Sequence, residues 1–227
     1  MLRIGVDVGG TNTDAALLHG DTVLATVKKA TSADVTSGAV AAITTLLAQA
    51  GVEGSAVNAL MIGTTHFLNA LIERKGLEKT AVLRLCGPTS RAFPPMIDWP
   101  EDLRQAVTGG VALVAGGYEV DGRVISPLDA EEIRQYCAIW AAAGIRSVAI
   151  CGVFSVANPE MELEAARIVT DALPGVAISL SHRIGQTGLL ERESATILNA
   201  CLSSLGSRTI LALRAAFAQV GLTCPLY

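Results

Sequence analysis

The sequence predicts an α/β protein built on a mixed sheet with helices. Residues 2–27 read as three short strands joined by glycine-containing turns, which pair antiparallel. Residues 129–180 alternate helix, strand, helix and strand, and a strand–helix–strand order requires a parallel crossover. Composition agrees: of 227 residues, 51% are hydrophobic and 17% charged, enough apolar material for one large or two modest cores.

The first strand, residues 2–6, runs into Asp7-Val8-Gly9-Gly10-Thr11-Asn12-Thr13-Asp14, and residues 15–18 and 22–27 continue as strands on either side of Gly20-Asp21. A glycine pair in a tight strand-to-strand turn lets the backbone approach a ligand closely. Successive N–H groups in such a turn form a concave anion nest. An isolated Gly-Gly serves an ordinary hairpin equally well. Here Asp7, Thr11, Asn12, Thr13 and Asp14 surround it, and carboxylates at such a place hold a divalent cation, through its water shell, against phosphate oxygens. The stretch is read as a nucleotide-phosphate loop. Dinucleotide fingerprints and P-loops put their glycines between a strand and a helix, and a P-loop adds Gly-Lys-Ser/Thr. Neither pattern occurs here.

Val40, Ile43, Leu46, Leu47 and Ala50 recur at helical spacing, and Gly51 stops that helix. A short apolar strand, residues 58–62, leads into Gly63-Thr64-Thr65-His66. Thr64 or Thr65 caps a helix whose apolar face is Phe67, Leu68, Leu71 and Ile72 and whose terminator is Gly76. Hydroxyls and free N–H groups at a helix start suit a second anion contact, with simple capping as the competing reading. His66 is read as a polar residue of the first turn.

Residues 81–85 form the next strand. Residues 86–100 carry four prolines and read as a long loop, of the kind that is functional or covers another element. Gly109-Gly110 and Gly116-Gly117 bracket an apolar run, and Asp121-Gly122 marks a hairpin turn. Asp129 caps a helix with Glu132 as its capping-box partner, an apolar face of Ile133, Cys137, Trp140 and Ala141, and an end at Gly144. Residues 147–151 are a buried strand, Asn158-Pro159 opens a further helix, and residues 176–180 are the last strand. Ser181-His182-Arg183-Ile184-Gly185 follows at its C-terminal end, where α/β sheets present ligand-facing groups. Residues 189–220 are mostly helical with an interruption near Gly206, and Glu191-Arg192-Glu193 reads as a solvated first turn.

A formal charge of −4 without a basic stripe speaks against nucleic acid. No uninterrupted apolar run reaches the ~20 residues of a membrane helix, and no signal-peptide pattern opens the chain. Cys86, Cys137, Cys151, Cys201 and Cys224 are dispersed without a Cys-x-x-Cys pair, which predicts reduced thiols in a cytoplasmic protein and no metal cluster.

Several stretches together resemble the N-terminal region of the hydantoinase A/oxoprolinase family, relatives of the acetone carboxylase β subunit. They are residues 5–14, residues 63–76, Asn158-Pro-Glu-Met-Glu-Leu163, Leu173-Pro-Gly-Val176, Ser179-Leu-Ser-His182 and residues 191–200. The resemblance implies ribonuclease-H-like lobes of the actin/sugar-kinase/heat-shock ATPase type, with ATP and Mg2+ or another divalent cation as cofactors. It implies an activity that couples ATP hydrolysis to opening a cyclic amide such as a hydantoin or oxoproline. By motif match Asp7 is the metal-associated catalytic carboxylate and Asp14 a second catalytic or metal-linked group. Gly9, Gly10, Thr11, Asn12 and Thr13 line the phosphates, and Thr64 and Thr65 lie near the cleft. Glu191, Thr196 and Asn199 match a late motif without an assigned role.

The chain departs from the family at Ile62, commonly His, and at residues 86–91, commonly a Gly-Phe-Arg-Asp type loop, so its substrate is expected to differ. The expected domains are residues 1–180 and the start of a following, mostly helical domain at 181–227, with the second lobe of the cleft largely absent. A small-molecule kinase of the same superfamily, and a subunit or binding module completed by a partner chain, are the competing functions. Homo-oligomerisation or a partner subunit is expected.

Overall fold

The computed structural model describes residues 1–31 and 35–227. The chain divides into two compact units, one of Met1–Glu73 with Leu205–Tyr227 and one of Arg74–Ser204. The expected boundary at residue 180 therefore falls inside the second unit. The reason is polar as much as apolar: Ser147 Oγ donates to the Ala200 carbonyl at 2.9 Å and Asn199 Nδ2 to Ser179 Oγ at 2.9 Å, stitching residues after 180 to the strands before it.

In the first unit β1 (Leu2–Val8), β2 (Asn12–His19) and β3 (Thr22–Ala30) form an antiparallel meander, and β4 (Ala59–Thr64) adds to β1 in parallel, giving the order β3-β2-β1-β4. The last residues extend the sheet beyond β4: Ile62 N–H donates to the Tyr227 carbonyl and Tyr227 N–H to the Leu60 carbonyl, both at 2.9 Å. Period-2 alternation sends Ile4, Val6 and Val8 into the core under helix α1 (Val35–Ala50), with Ala15 and Leu17 beside them from β2, while Gly5 and Asp7 take the opposite face. Ala39, Ile43 and Leu46 of α1 are fully buried there, and Gly51 ends that helix with φ +62°. Gly54 sits so close to the Val220 carbonyl that a Cβ would lie 2.6 Å from its oxygen. Gly54→Ala is accordingly expected to cost about 1–3 kcal/mol through overpacking, read as a lowered thermal midpoint.

Helix α2 (His66–Glu73) departs from expectation. Leu68 and Ile72 of its predicted apolar face are 56% and 64% exposed, and Ala70 is its buried residue. The exit from β4 sets its orientation: Thr65 N–H reaches the Val8 carbonyl at 3.4 Å, and Thr64 Oγ1 accepts from His66 N–H at 3.1 Å. The chain turns at Arg74, with φ +57°, before the predicted terminator Gly76.

The second unit is a four-stranded parallel sheet of β5 (Thr80–Leu85), β6 (Thr108–Val114), β7 (Ser147–Gly152) and β8 (Ala177–Leu180) in the order β6-β5-β7-β8. Every residue of β5 and β7 is buried, as central strands of a parallel sheet require. Between the proline-rich segment and β6 lies a short helix, α3 (Glu101–Val107), not expected from the sequence. Helices α4 (Ala130–Ala142) and α5 (Glu160–Ala172) pack against each other, and α4 buries Ile133, Cys137 and Trp140 while Ala141 is exposed. Asp129 Oδ1 caps α4 through Glu131 N–H and Glu132 N–H at 3.0 and 2.9 Å. The Glu132 side chain does not complete the capping box but accepts from Ala115 N–H at 3.4 Å.

A four-residue helix, α6 (Ser181–Ile184), precedes α7 (Leu189–Gln219). Helix α7 runs without a break through Gly206, correcting the expected interruption: one glycine costs about 1 kcal/mol in a helix interior, which a helix of this length absorbs. By length and composition α7 is apolar enough to cross a bilayer. Ile197, Ala200, Cys201, Leu213 and Phe217 along it are buried within the protein.

All five cysteines are free, and Cys86, Cys137, Cys151 and Cys201 are buried. Burial pushes the Cys151 thiol up to about 12 and the Cys201 thiol up to about 11 from an ordinary value of 9.0. These thiols stay protonated in the fold while the unfolded chain ionises near 9. Their stabilising share is therefore complete below pH 9 and lost as pH rises towards 12. Cys151→Ala is expected to flatten the alkaline fall in thermal midpoint over that window.

Candidate nucleotide-phosphate site

The turn between β1 and β2 is the centre of the candidate site. Gly9 N–H closes it on the Asn12 carbonyl at 2.9 Å, and Thr31 braces it from beneath, its hydroxyl donating to the Gly9 carbonyl at 2.8 Å and its N–H to the Thr11 carbonyl at 2.8 Å. The N–H groups of Gly10 and Thr11 have no acceptor among the described residues, which leaves two adjacent donors at the tip. Two adjacent unpaired donors in a turn are available to an anion. At Gly9 a Cβ would press to 3.2 Å of the Asn12 carbonyl oxygen, so a glycine keeps the turn tight.

The predicted residues fall into four groups. Gly9, Gly10, Thr11 and Asn12 form the turn itself. Asp7 and Asp14 face each other across β1 and β2, and Asp7 is exposed. Gly63 lies opposite Asp7 on β4, where a Cβ would stand 3.3 Å from Asp7 Oδ1. Thr64 and Thr65 lie at the start of α2 beside the turn, through the bond from Thr65 to Val8, and the Thr64 hydroxyl is engaged in capping. Thr13 is different: it is fully buried, with its hydroxyl 3.2 Å from that of Thr31, so its side chain supports the turn from the core side.

Two residues outside the predicted set complete the neighbourhood. Asn69 on α2 brings its amide to 3.9 Å of where a Gly10 Cβ would be. Lys28 on β3 pairs with Asp14, Nζ lying 2.9 and 3.0 Å from the two carboxylate oxygens. Asn69 sits inside a motif the sequence reading singled out. Lys28 had no local signal.

Asp7, Asp14 and Lys28 stand together along a groove of about 680 Å³ on the sheet face away from α1, floored by the small residues Gly5, Ala16 and Gly63 and walled by Met61 and Tyr227. No cluster of three or more His, Cys, Asp or Glu able to cage a metal occurs among the described residues. Two carboxylates beside free backbone donors instead suit a Mg2+-like cation that keeps much of its water and shares its ligands with phosphate. The donor set fits the implied cofactors, with Asp7 and Asp14 as the groups that would hold the cation.

The second unit contains a buried polar network. The predicted solvated turn Glu191-Arg192-Glu193 is not one: Arg192 and Glu193 are 2% and 1% exposed. Arg84 Nε donates to Glu193 Oε1 at 2.7 Å, and its Nη2 pairs with Oε2. Burial opposes the Arg84 charge, but the hydrogen bond and charge of Glu193 outweigh it and hold the guanidinium above its ordinary value. Arg192 donates to Ser181 Oγ at 2.9 Å and to the Gly152 carbonyl at 2.7 Å. Glu162, fully buried, accepts from Gly152 N–H, Ser181 Oγ, His182 N–H and His182 Nδ1 at 2.7, 2.5, 3.1 and 2.6 Å.

Residues 3–173 match the hydantoinase/oxoprolinase N-terminal region. The chain belongs to that family. Caprolactamase subunit alpha from Pseudomonas jessenii is 31% identical over 98% of this chain and 34% of its own length. The crystal structure of the ATP-dependent caprolactamase from that organism superposes with a TM-score of 0.77, at 29% identity, over 99% of this chain and 35% of the other. Nucleotide-free acetone carboxylase gives the same TM-score, 0.77, at 20% identity over 96% of this chain and 34% of its own, a likeness of fold. The chain thus spans about a third of the length of these relatives.

Proposed function

We propose that the chain is the ATP-binding N-terminal portion of an enzyme that couples ATP hydrolysis to opening a cyclic amide. The observation that carries this reading is the turn at residues 9–12, with its two free N–H groups and the exposed Asp7 beside it. The likeness to an ATP-dependent caprolactamase supports it and makes lactams, with hydantoins and oxoproline, the first substrates to try. That relative is a subunit, which favours completion of the cleft by a further lobe or polypeptide.

The chemistry follows from the amide. Its carbonyl is a poor electrophile, and ATP supplies the phosphoryl group that converts the amide oxygen into a leaving group. Water then attacks the activated carbon and the ring C–N bond breaks with the nitrogen leaving as the amine. A second water releases phosphate from the resulting acyl phosphate, so that ATP and two waters yield ADP, phosphate and the amino acid. Within this chain the Gly10 and Thr11 N–H groups would position phosphate oxygens, and Asp7 would hold the cation that neutralises them.

The test is ATP-dependent ring opening by the chain together with the lobe or subunit that completes it, comparing wild type with Asp7→Ala. Turnover is expected to fall by at least about a hundredfold, as for loss of a charge-stabilising group in phosphoryl transfer. Equal turnover would remove the turn from the mechanism.

A further inference from the structure

We propose that Lys28 is a phosphate-gripping side chain, held by Asp14 until a divalent cation occupies the acidic end of the groove. This rests on the phosphate-site reading above and supplies the cationic side chain that residues 7–14 lack. Among the residues lining the groove Lys28 is the cationic one, and it stands in a row with Asp14 and Asp7 across β3, β2 and β1.

The Lys28–Asp14 pair is poorly explained as a structural device. Their side chains are 64% and 48% exposed, and a pair so open to water contributes little to folding. Two acids and one lysine also leave the row with a net negative charge, so a bare polyphosphate is repelled by Asp7. A divalent cation on Asp7 and Asp14 changes both terms. It cancels the field that holds Lys28 Nζ, and it brings the anionic phosphates that Lys28 is free to meet. The row lies two residues along β2 from the turn residue Asn12, about 7 Å at strand spacing. A lysine's four-carbon stem sweeps that distance. Metal and phosphate would therefore bind with mutual reinforcement, with Lys28 exchanging partners between them.

Calorimetric titration with ATP of the chain together with the lobe or subunit that completes it, in Mg2+ and in chelator, tests this on wild type, Lys28→Gln, Lys28→Arg, Asp14→Asn and the Asp14→Asn/Lys28→Gln double variant. Lys28→Gln is expected to weaken binding in Mg2+ by roughly tenfold or more, the loss of one charge-assisted contact. In chelator it should change binding by less than about twofold, since Lys28 is then held by Asp14. Lys28→Arg should keep most of the Mg2+-dependent affinity. Asp14→Asn should raise metal-free affinity, and the gain should vanish in the double variant. Thermal melting by circular dichroism confirms that each variant is folded. The proposal is overturned if Lys28→Gln binds ATP–Mg2+ like wild type, or loses affinity equally with and without metal. Gly10→Val, run alongside, separates the two layers. If it abolishes binding while Lys28→Gln is neutral, the lysine proposal falls and the phosphate site stands; if wild type binds no ATP in either condition, both fall.

Discussion

Replacing Arg84 by methionine is expected to lower the free energy of unfolding by about 3–5 kcal/mol, the cost of leaving a buried carboxylate without its partner. Arg84 is completely buried near the C-terminal end of β5, its fork engages both oxygens of Glu193, and its Nη1 donates to the Ser90 and Phe93 carbonyls at 3.1 and 2.6 Å. One side chain thus ties the proline-rich loop and the start of α7 to the central strand. Removing it strands the Glu193 charge and frees two carbonyls together. Arg84→Met/Glu193→Leu is expected to recover most of the loss, because the expense lies in the unpaired charge and the pair itself gains little over apolar packing. Urea unfolding of the two single variants and the double measures this. A loss below about 1 kcal/mol for Arg84→Met would mean that water reaches Glu193 in the folded protein.

Glu162→Ala is expected to be nearly as damaging, again by about 3–5 kcal/mol. The Glu162 carboxylate is the common acceptor for the ends of β7 and β8: it takes the Gly152 N–H from one and Ser181 Oγ with both His182 donors from the other. Alanine leaves these donors without an acceptor in a site with no exposed surface at Glu162. Glu162→Gln is expected to fall between wild type and alanine, since an amide accepts through one oxygen only. Hydrogen exchange at Gly152 and His182, together with denaturant midpoints, reads the effect. Unchanged protection at both amides in Glu162→Ala would show that the ends of β7 and β8 hold without the carboxylate.

The sequence was most legible where local chemistry decides the outcome. The meander, the glycine turn at residues 9–12, the stop at Gly51, the cap at Asp129 and the parallel crossover all follow from residue types within a few positions. Helix α2 was misread because its pattern of apolar residues gave the wrong buried face; bonds at the end of β4 orient it. Glu191-Arg192-Glu193 was misread because its partners are distant: Arg84 is 109 positions from Glu193 and Gly152 is 40 from Arg192.

At the candidate site the division is sharper. Residue chemistry alone determined that residues 7–14 form a turn with adjacent donors and flanking acids, because glycine, aspartate and threonine carry those properties wherever the chain places them. Only the tertiary structure decided which cation meets them. Around Gly20-Asp21 the hairpin starts with His19 opposite Thr22 and Leu18 opposite Val23, then shifts by one residue between Leu17 and Leu18, so that Lys28 stands opposite Asp14. Without that irregularity Val27 would take the place. A one-residue slip exchanges the two faces of a strand, and the sequence carries no local mark of where the slip occurs.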